Sequence, residues 1–166
     1  MAIIGAVSCL DSYFVDRWLN SLVPYLRQYE VGDKLADFMT KNGVTLRDAL
    51  NLLKEYRPRL VLRRRLEARM DKFVAQKIDV INDIFGCYGL KEIVNRAASK
   101  SKDKHCLTRF NAMIERRHSI VHNFDRKNSG LQKSFSGGRS KGVLLSLVSA
   151  EKLIDAVEEI LVNRKL

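Results

Sequence analysis

Apolar residues recur along this chain at three- and four-residue spacing, the period of one helix face, and hardly anywhere alternate as a half-buried strand requires. Leu10, Phe14, Trp18, Leu22, Tyr25 and Leu26 form the first such stripe. It predicts a helix over about 8–29, with Pro24 bending or breaking it. Leu35 to Met39 predicts a short helix ended by Lys41-Asn42-Gly43. Thr45 is placed to cap a third helix through about Glu55, with Leu46, Ala49, Leu50 and Leu53 turned inward.

Pro58 opens the longest predicted helix, through about Phe85, on Leu60, Leu62, Leu66, Met70, Phe73, Val74, Ile78, Ile81 and Phe85. Gly86 and Gly89 interrupt the pattern, and a shorter helix is expected over about 90–98. A charged turn over about 99–104 leads to a helix starting near His105 or Cys106. Leu107, Phe110, Ile114, Val121 and Phe124 form its stripe, and Arg117 falls on that stripe where an apolar residue is expected. Residues from about 123 to 142 are poor in apolar side chains and predict a loop, a length that often serves function. Ser149 is expected to cap the last helix, with Leu153, Ile154, Val157, Ile160 and Leu161 closing the core; Val143 to Val148 reads equally as strand or helix. The expectation is an all-α bundle of about five to six helices in one domain over 1–166, without repeats.

Charge narrows the partners. The formal net charge is +11, and 46% of residues are apolar, which excludes a disordered polyelectrolyte. Residues 1–56 carry six basic and seven acidic groups, whereas residues 57–166 carry 24 basic and 12 acidic. Such an excess attracts polyanions, nucleic acid first among them. The densest strip, Arg57, Arg59, Arg63, Arg64, Arg65 and Arg69, reads either as a phosphate-contacting surface or as a solvated helix face. Cys9, Cys87 and Cys106 are odd in number and widely spaced, against a disulfide framework or a structural zinc site and in favour of a reducing cytoplasm. The apolar start, Met1 to Leu10, is too short to span a membrane, lacks a basic leader, and is expected to pack with the first helix.

The residues with chemistry lie in Arg117-His118-Ser119-Ile120-Val121-His122. His118 and His122 are four apart and share a helix face; Arg117 and His122 are separated by about 140°. Arg109, Arg116, Arg126, Lys127 and Lys133 make the neighbourhood basic. Four readings are open. The first is RNA cleavage without a metal: RNA supplies its own 2′-OH nucleophile, histidine can move protons near neutral pH, and arginine holds phosphate oxygens with a planar, permanently charged fork. The second is a metal site, because His-x-x-x-His is ligand spacing; Ser119 stands where a zinc protease carries Glu, and no third ligand is evident. The third is phosphate or nucleotide binding without catalysis. The fourth is structural, with Arg117 paired to a buried acid and His122 at a helix C-terminus, where cations are favoured.

Arg117-His118-Ser119-Ile120-Val121-His122-Asn123 resembles the signature of the HEPN superfamily: Arg, a polar residue, four to six residues between Arg and His, and the His near a helix end. His118 occupies the polar slot, and Ile120-Val121 before the histidine is also typical. With the Leu10-Asp11-Ser12-Tyr13-Phe14 opening, the motif on the penultimate helix and one closing helix, the chain is most similar to the RiboL-PSP-type HEPN group. The resemblance implies an all-α bundle and a homodimer in which two motif helices meet, so that one composite site holds Arg117 and His122 of both subunits. It implies a metal-independent endoribonuclease that leaves a 2′,3′-cyclic phosphate and a 5′-hydroxyl, without a cofactor. Such proteins act as toxins or in antiviral defence, held in check by an antitoxin or a sensor protein. On this reading His122 is general base or acid, Arg117 holds the scissile phosphate, and His118 orients one of them. Asn123, Arg116, Arg126 and Lys127 contact the substrate. The superfamily also contains nonenzymatic adaptors that bind RNA, a nucleotide or a partner protein, and that alternative stays open.

Overall fold

A computed structural model describes residues 2–70, 73, 75, 77–123 and 140–166. Among the described residues there are eight helices and no strand, so the chain is an all-α bundle with more and shorter helices than the periodicity predicts. They are α1 (Ala2–Gln28), α2 (Asp33–Lys41), α3 (Leu46–Leu52), α4 (Pro58–Met70), α5 (Ile78–Gly86), α6 (Ile93–Lys100), α7 (Cys106–Asn123) and α8 (Ser140–Asn163). None is long and apolar enough to cross a membrane.

α1 is the axis. Its stripe is buried as predicted, with Phe14, Trp18 and Leu22 fully enclosed and Leu10 and Tyr25 nearly so. Pro24 lies inside the helix and does not end it. A proline there deletes a backbone bond at a cost of about 3 kcal/mol, but tertiary contacts hold the last turn. Tyr25 packs on Tyr29 and Tyr88, Tyr29 Oη donates to the Arg164 carbonyl (3.0 Å), and Gln28 Nε2 donates to that of Lys165 (3.1 Å). Earlier in α1, Arg17 Nε donates to both Glu158 oxygens (2.8 and 3.0 Å) and Tyr13 Oη donates to Oε1 (2.7 Å), so long side chains tie α1 to α8. Burial pushes the Glu158 carboxyl up, but the Arg17 and Tyr13 hydrogen bonds outweigh it and hold it below the usual carboxylate range.

The predicted helix from Pro58 to Phe85 is two helices. Phe73 and Ala75, between α4 and α5, are not helical. In a continuous helix the Ala75 amide would donate to the carbonyl four residues back. Instead it donates to Asp11 Oδ1 of α1, and the chain leaves the helical path there. Buried Leu62, Leu66 and Met70 of α4 and Ile81, Ile84 and Phe85 of α5 still face one core, while Val74 lies outside the described residues.

Two further expectations are corrected. Thr45 does cap α3, in a box with Asp48: Asp48 N donates to Thr45 Oγ1 (3.1 Å) and Thr45 N to Asp48 Oδ2 (3.0 Å). Yet Leu52 is the buried side chain of α3, and Leu46 (76%), Leu50 (55%) and Leu53 (79%) are exposed, with Ala49 exposed as well. The apolar stripe turns outward because this two-turn helix meets α4 through its opposite edge, where Leu52 is buried and Asp48 pairs with Arg65. Ser149, expected as a cap, lies buried in mid-α8, which already begins at Ser140 and takes in the ambiguous 143–148 run. The remainder of the expected loop, 124–139, is outside the described residues.

α5 and α6 are joined through Gly89, whose φ of 72° lies in the left-handed region that glycine enters without strain. Glu92 at the α6 N-cap gives no side-chain cap, and Asn82 of α5 substitutes by accepting the Val94 amide (2.9 Å).

Trp18 ties these parts together. Its Nε1 donates to the Ile84 carbonyl (2.7 Å), and its own carbonyl accepts from Tyr88 Oη (2.9 Å), both in the core. Trp18→Phe removes that donor and leaves unfilled space, and is expected to cost about 2–3 kcal/mol in a urea titration. Tyr88→Phe is expected to cost about 1 kcal/mol, since the Trp18 carbonyl retains its place in the helix. Wild-type midpoints for both variants would remove this contact from the centre of the fold.

Candidate functional site on the seventh helix

α7 begins where the sequence predicts, at Cys106. Its entry is anchored by one carboxylate. Asp103, just before the helix, accepts from the His105 amide (3.0 Å), Ser149 Oγ (2.7 Å) and Arg109 Nη1 (3.0 Å), and Arg109 Nη1 also donates to Ser149 Oγ (3.1 Å). The Ser149 and His105 hydrogen bonds, with Arg109 beside them, hold the Asp103 carboxyl below the usual carboxylate range. Cys106 is buried against the Ser149 carbonyl, and burial pushes its thiol up, away from the thiolate a nucleophile needs. Ser149 is thus a joint between α7 and α8, a role with no periodic signal in the sequence.

From this anchor α7 buries Phe110 and Met113, with Leu107 and Ile114 partly covered; the Phe110 ring meets Phe14 of α1 edge-on at 6.5 Å. Arg117 continues the same stripe. It is half-buried, and its Nε is enclosed. The helix therefore carries a guanidinium into a position that packing alone would fill with Leu or Met. Arg116 and Ile120 are half-buried, His118 is exposed and Val121 is 38% exposed.

Arg116, Arg117 and His118 are thereby brought onto consecutive positions of one regular helix. The backbone carries His122 and Asn123 on its last turn, while their side chains lie outside what the structure describes. Arg126, Lys127, Lys133 and Phe124 lie outside the described residues altogether. Arg109, counted by sequence with the basic neighbourhood, is instead engaged with Asp103 and Ser149. Among the described residues no group of three or more His, Cys, Asp or Glu is close enough to hold a metal ion. Cys9, Cys87 and Cys106 are all free thiols.

Two pockets lie elsewhere. One, of about 410 Å³, is lined by Val23, Arg27 and residues 56–60; another, of about 260 Å³, by Arg96, Lys100, Ile160, Asn163 and Arg164. The first includes an exposed tyrosine that the sequence reading did not single out, Tyr56. Its signal was present in sequence, an aromatic between Glu55 and Arg57, two positions before Pro58.

The anchor makes a pH prediction. A carboxyl whose folded pKa is depressed contributes stability that is fully present above its unfolded pKa, about 3.9 for Asp, and lost as pH falls through the folded value. Asp103→Asn is expected to be less stable than wild type at neutral pH and to lose stability less steeply below about pH 4. Parallel acid limbs for the two proteins, measured by urea titration across pH, would show that Asp103 is not a significant contributor. Comparison of the chain with protein-family models, with curated proteins and with solved structures finds no match in any of the three.

Proposed function

We propose that this chain is a metal-independent endoribonuclease of HEPN type, acting as a homodimer with a composite site. The observation that carries the reading is Arg117: a half-buried arginine on the core-facing stripe of α7, four positions after fully packed Met113, followed by His118 and, one turn on, His122. The planar, permanently charged guanidinium is the side chain whose fork fits phosphate best. The basic excess of the chain supports a polyanionic substrate.

The chemistry follows from RNA. A base takes the 2′-OH proton, the oxygen attacks the adjacent phosphorus, and an acid protonates the departing 5′-oxygen. This gives a 2′,3′-cyclic phosphate and a 5′-hydroxyl. His122 of one subunit and its dimer mate serve as base and acid. Arg117 stabilises the charge that builds on the phosphorane oxygens, with His118 orienting the phosphate or His122. Arg116, Asn123, Arg126 and Lys127 are assigned to substrate contacts. Dimerisation is supported by exposed apolar side chains on α7 and on α8, against which α7 packs: Val121 (38%), Leu144 (61%), Leu145 (43%) and Val148 (39%). A setting of toxin–antitoxin pairing or antiviral defence in the cytoplasm, with an antitoxin or sensor protein as regulator, belongs to the same reading.

Labelled RNA incubated with the protein in excess EDTA is expected to be cut, leaving cyclic-phosphate ends. His122→Ala is expected to lower the rate about 10²–10⁴-fold and Arg117→Ala about 10²–10³-fold. Intact RNA with wild type, or equal cleavage by all three proteins, would defeat the reading; binding without cleavage would leave the adaptor role. Leu144→Asp is expected to convert the dimer to monomer in sedimentation and to abolish cleavage with it. A fully active monomer would reject the composite site.

A further inference from the structure

The arginine strip of α4 divides once its contacts are resolved. Arg65 Nη1 holds Asp48 Oδ1 at 2.8 Å and so fastens the α3 capping box to α4. Arg69 Nη1 donates to the Asn42 carbonyl (2.8 Å) and crowds Gly43, whose φ is 75° and where an added Cβ would lie 3.0 Å from that nitrogen. Arg63 Nη2 donates to Asn20 Oδ1 of α1 (2.8 Å). These three are fold contacts. Arg57 and Arg59 differ from these three and also from Arg64, which is exposed but does not line the pocket. They are exposed, they form no ion pair among the described residues, and together with Arg27 of α1 they line the 410 Å³ pocket.

Tyr56 stands in the same pocket at 92% exposure. Large aromatic rings are seldom left so open, because burial of the ring is favourable by a few kcal/mol. The Arg57 guanidinium sits 5.7 Å from the ring centroid, within cation–π range. The turn that presents the ring is ordered by backbone bonds, from Lys54 to Asn51, Glu55 to Leu52 and Leu60 to Arg57. Val23, Pro58 and Leu60 supply an apolar lining, and three guanidinium groups border it. An aromatic platform, an apolar lining and several cations are the combination that holds an unpaired base and its flanking phosphates.

We propose that this pocket binds single-stranded RNA, with a base stacked on Tyr56 and backbone phosphates on Arg27, Arg57 and Arg59. No motif residue lines it, so it is a second contact separate from the α7 site. The choice of RNA among polyanions rests on the proposed ribonuclease reading. The exposed leucines of α3, which would suit a protein partner, are not part of the pocket lining.

The test uses a fluorescent 2′-O-methyl RNA oligonucleotide, which lacks the attacking hydroxyl and so reports binding without cleavage, followed by anisotropy across salt concentrations. Tyr56→Ala is expected to weaken binding about tenfold or more, and Tyr56→Phe to retain it, since stacking needs the ring and not the phenol. Replacing Arg27, Arg57 and Arg59 together by Gln is expected to make the log–log salt slope shallower by about 2, at about 0.7 per phosphate contact on a single strand. A duplex of equal phosphate number is expected to compete poorly. Wild-type affinity in Tyr56→Ala, an unchanged slope in the triple variant, equal competition by duplex, or no binding by wild type would each overturn the proposal. The two readings fail separately. Tyr56-dependent binding with no cleavage of natural RNA leaves this site standing without the ribonuclease; cleavage with Tyr56-independent binding leaves the ribonuclease without this site.

Discussion

The fold depends on how α1 is held at Trp18. A buried indole must find an acceptor for its N–H, because leaving that donor unmet in the core costs about 1–3 kcal/mol. Here the acceptor is the Ile84 carbonyl of α5, and Tyr88 returns a hydrogen bond to the Trp18 carbonyl. The same indole stacks on the Tyr88 ring at 5.3 Å and touches Phe38 of α2 at 4.9 Å. One residue thus fixes the distance and rotation of α1 against α2 and α5. α4 and α7 then pack on other faces of α1, and α8, seated on α6 and α7, reaches α1 through the Arg17–Glu158 pair.

The motif helix inherits its position from this arrangement. Asp103 collects donors from α7, α8 and the turn that precedes α7, and Phe14 of α1 receives Phe110. Between these two contacts the helix has no freedom to rotate about its axis without breaking a charge-assisted bond or opening the core. Arg117 therefore points where the register dictates, on the buried stripe. A half-buried guanidinium in such a place is held in orientation by its surroundings.

The arginines show how one residue type divides its labour. Arg17, Arg63, Arg65, Arg69 and Arg109 reach across to another element and act as struts. Arg27, Arg57 and Arg59 border open space around Tyr56. In sequence the six arginines from 57 to 69 form one undivided strip, equally compatible with phosphate contact and with a solvated face. Acceptors on α1, at the end of α2 and on α3 separate them, and those acceptors are distant in sequence: Asn20, Asn42 and Asp48.

Several features of the fold are set by residues close together in the chain. Helical period placed the buried faces of α1 and α8, Thr45 marked the start of α3, and the stripe on α7, buried at Phe110 but open at Val121, exposed Arg117 as the residue out of place, because each of these signals is carried by neighbours within a few positions. That an arginine and two histidines of the 117–122 run share one helix is likewise set by residue types and spacing. Which face of α3 would be covered, whether Pro24 would end α1, where the 58–85 run would break and what Ser149 would do were decided by tertiary structure alone. A two-turn amphipathic helix reports that it has an apolar face and not which neighbour will reach it. The Ala75 amide left its helix for a carboxylate 64 positions away, and Ser149 met a carboxylate 46 positions away. Periodicity cannot carry such information, because these bonds form between side chains and backbone that only the folded chain brings together.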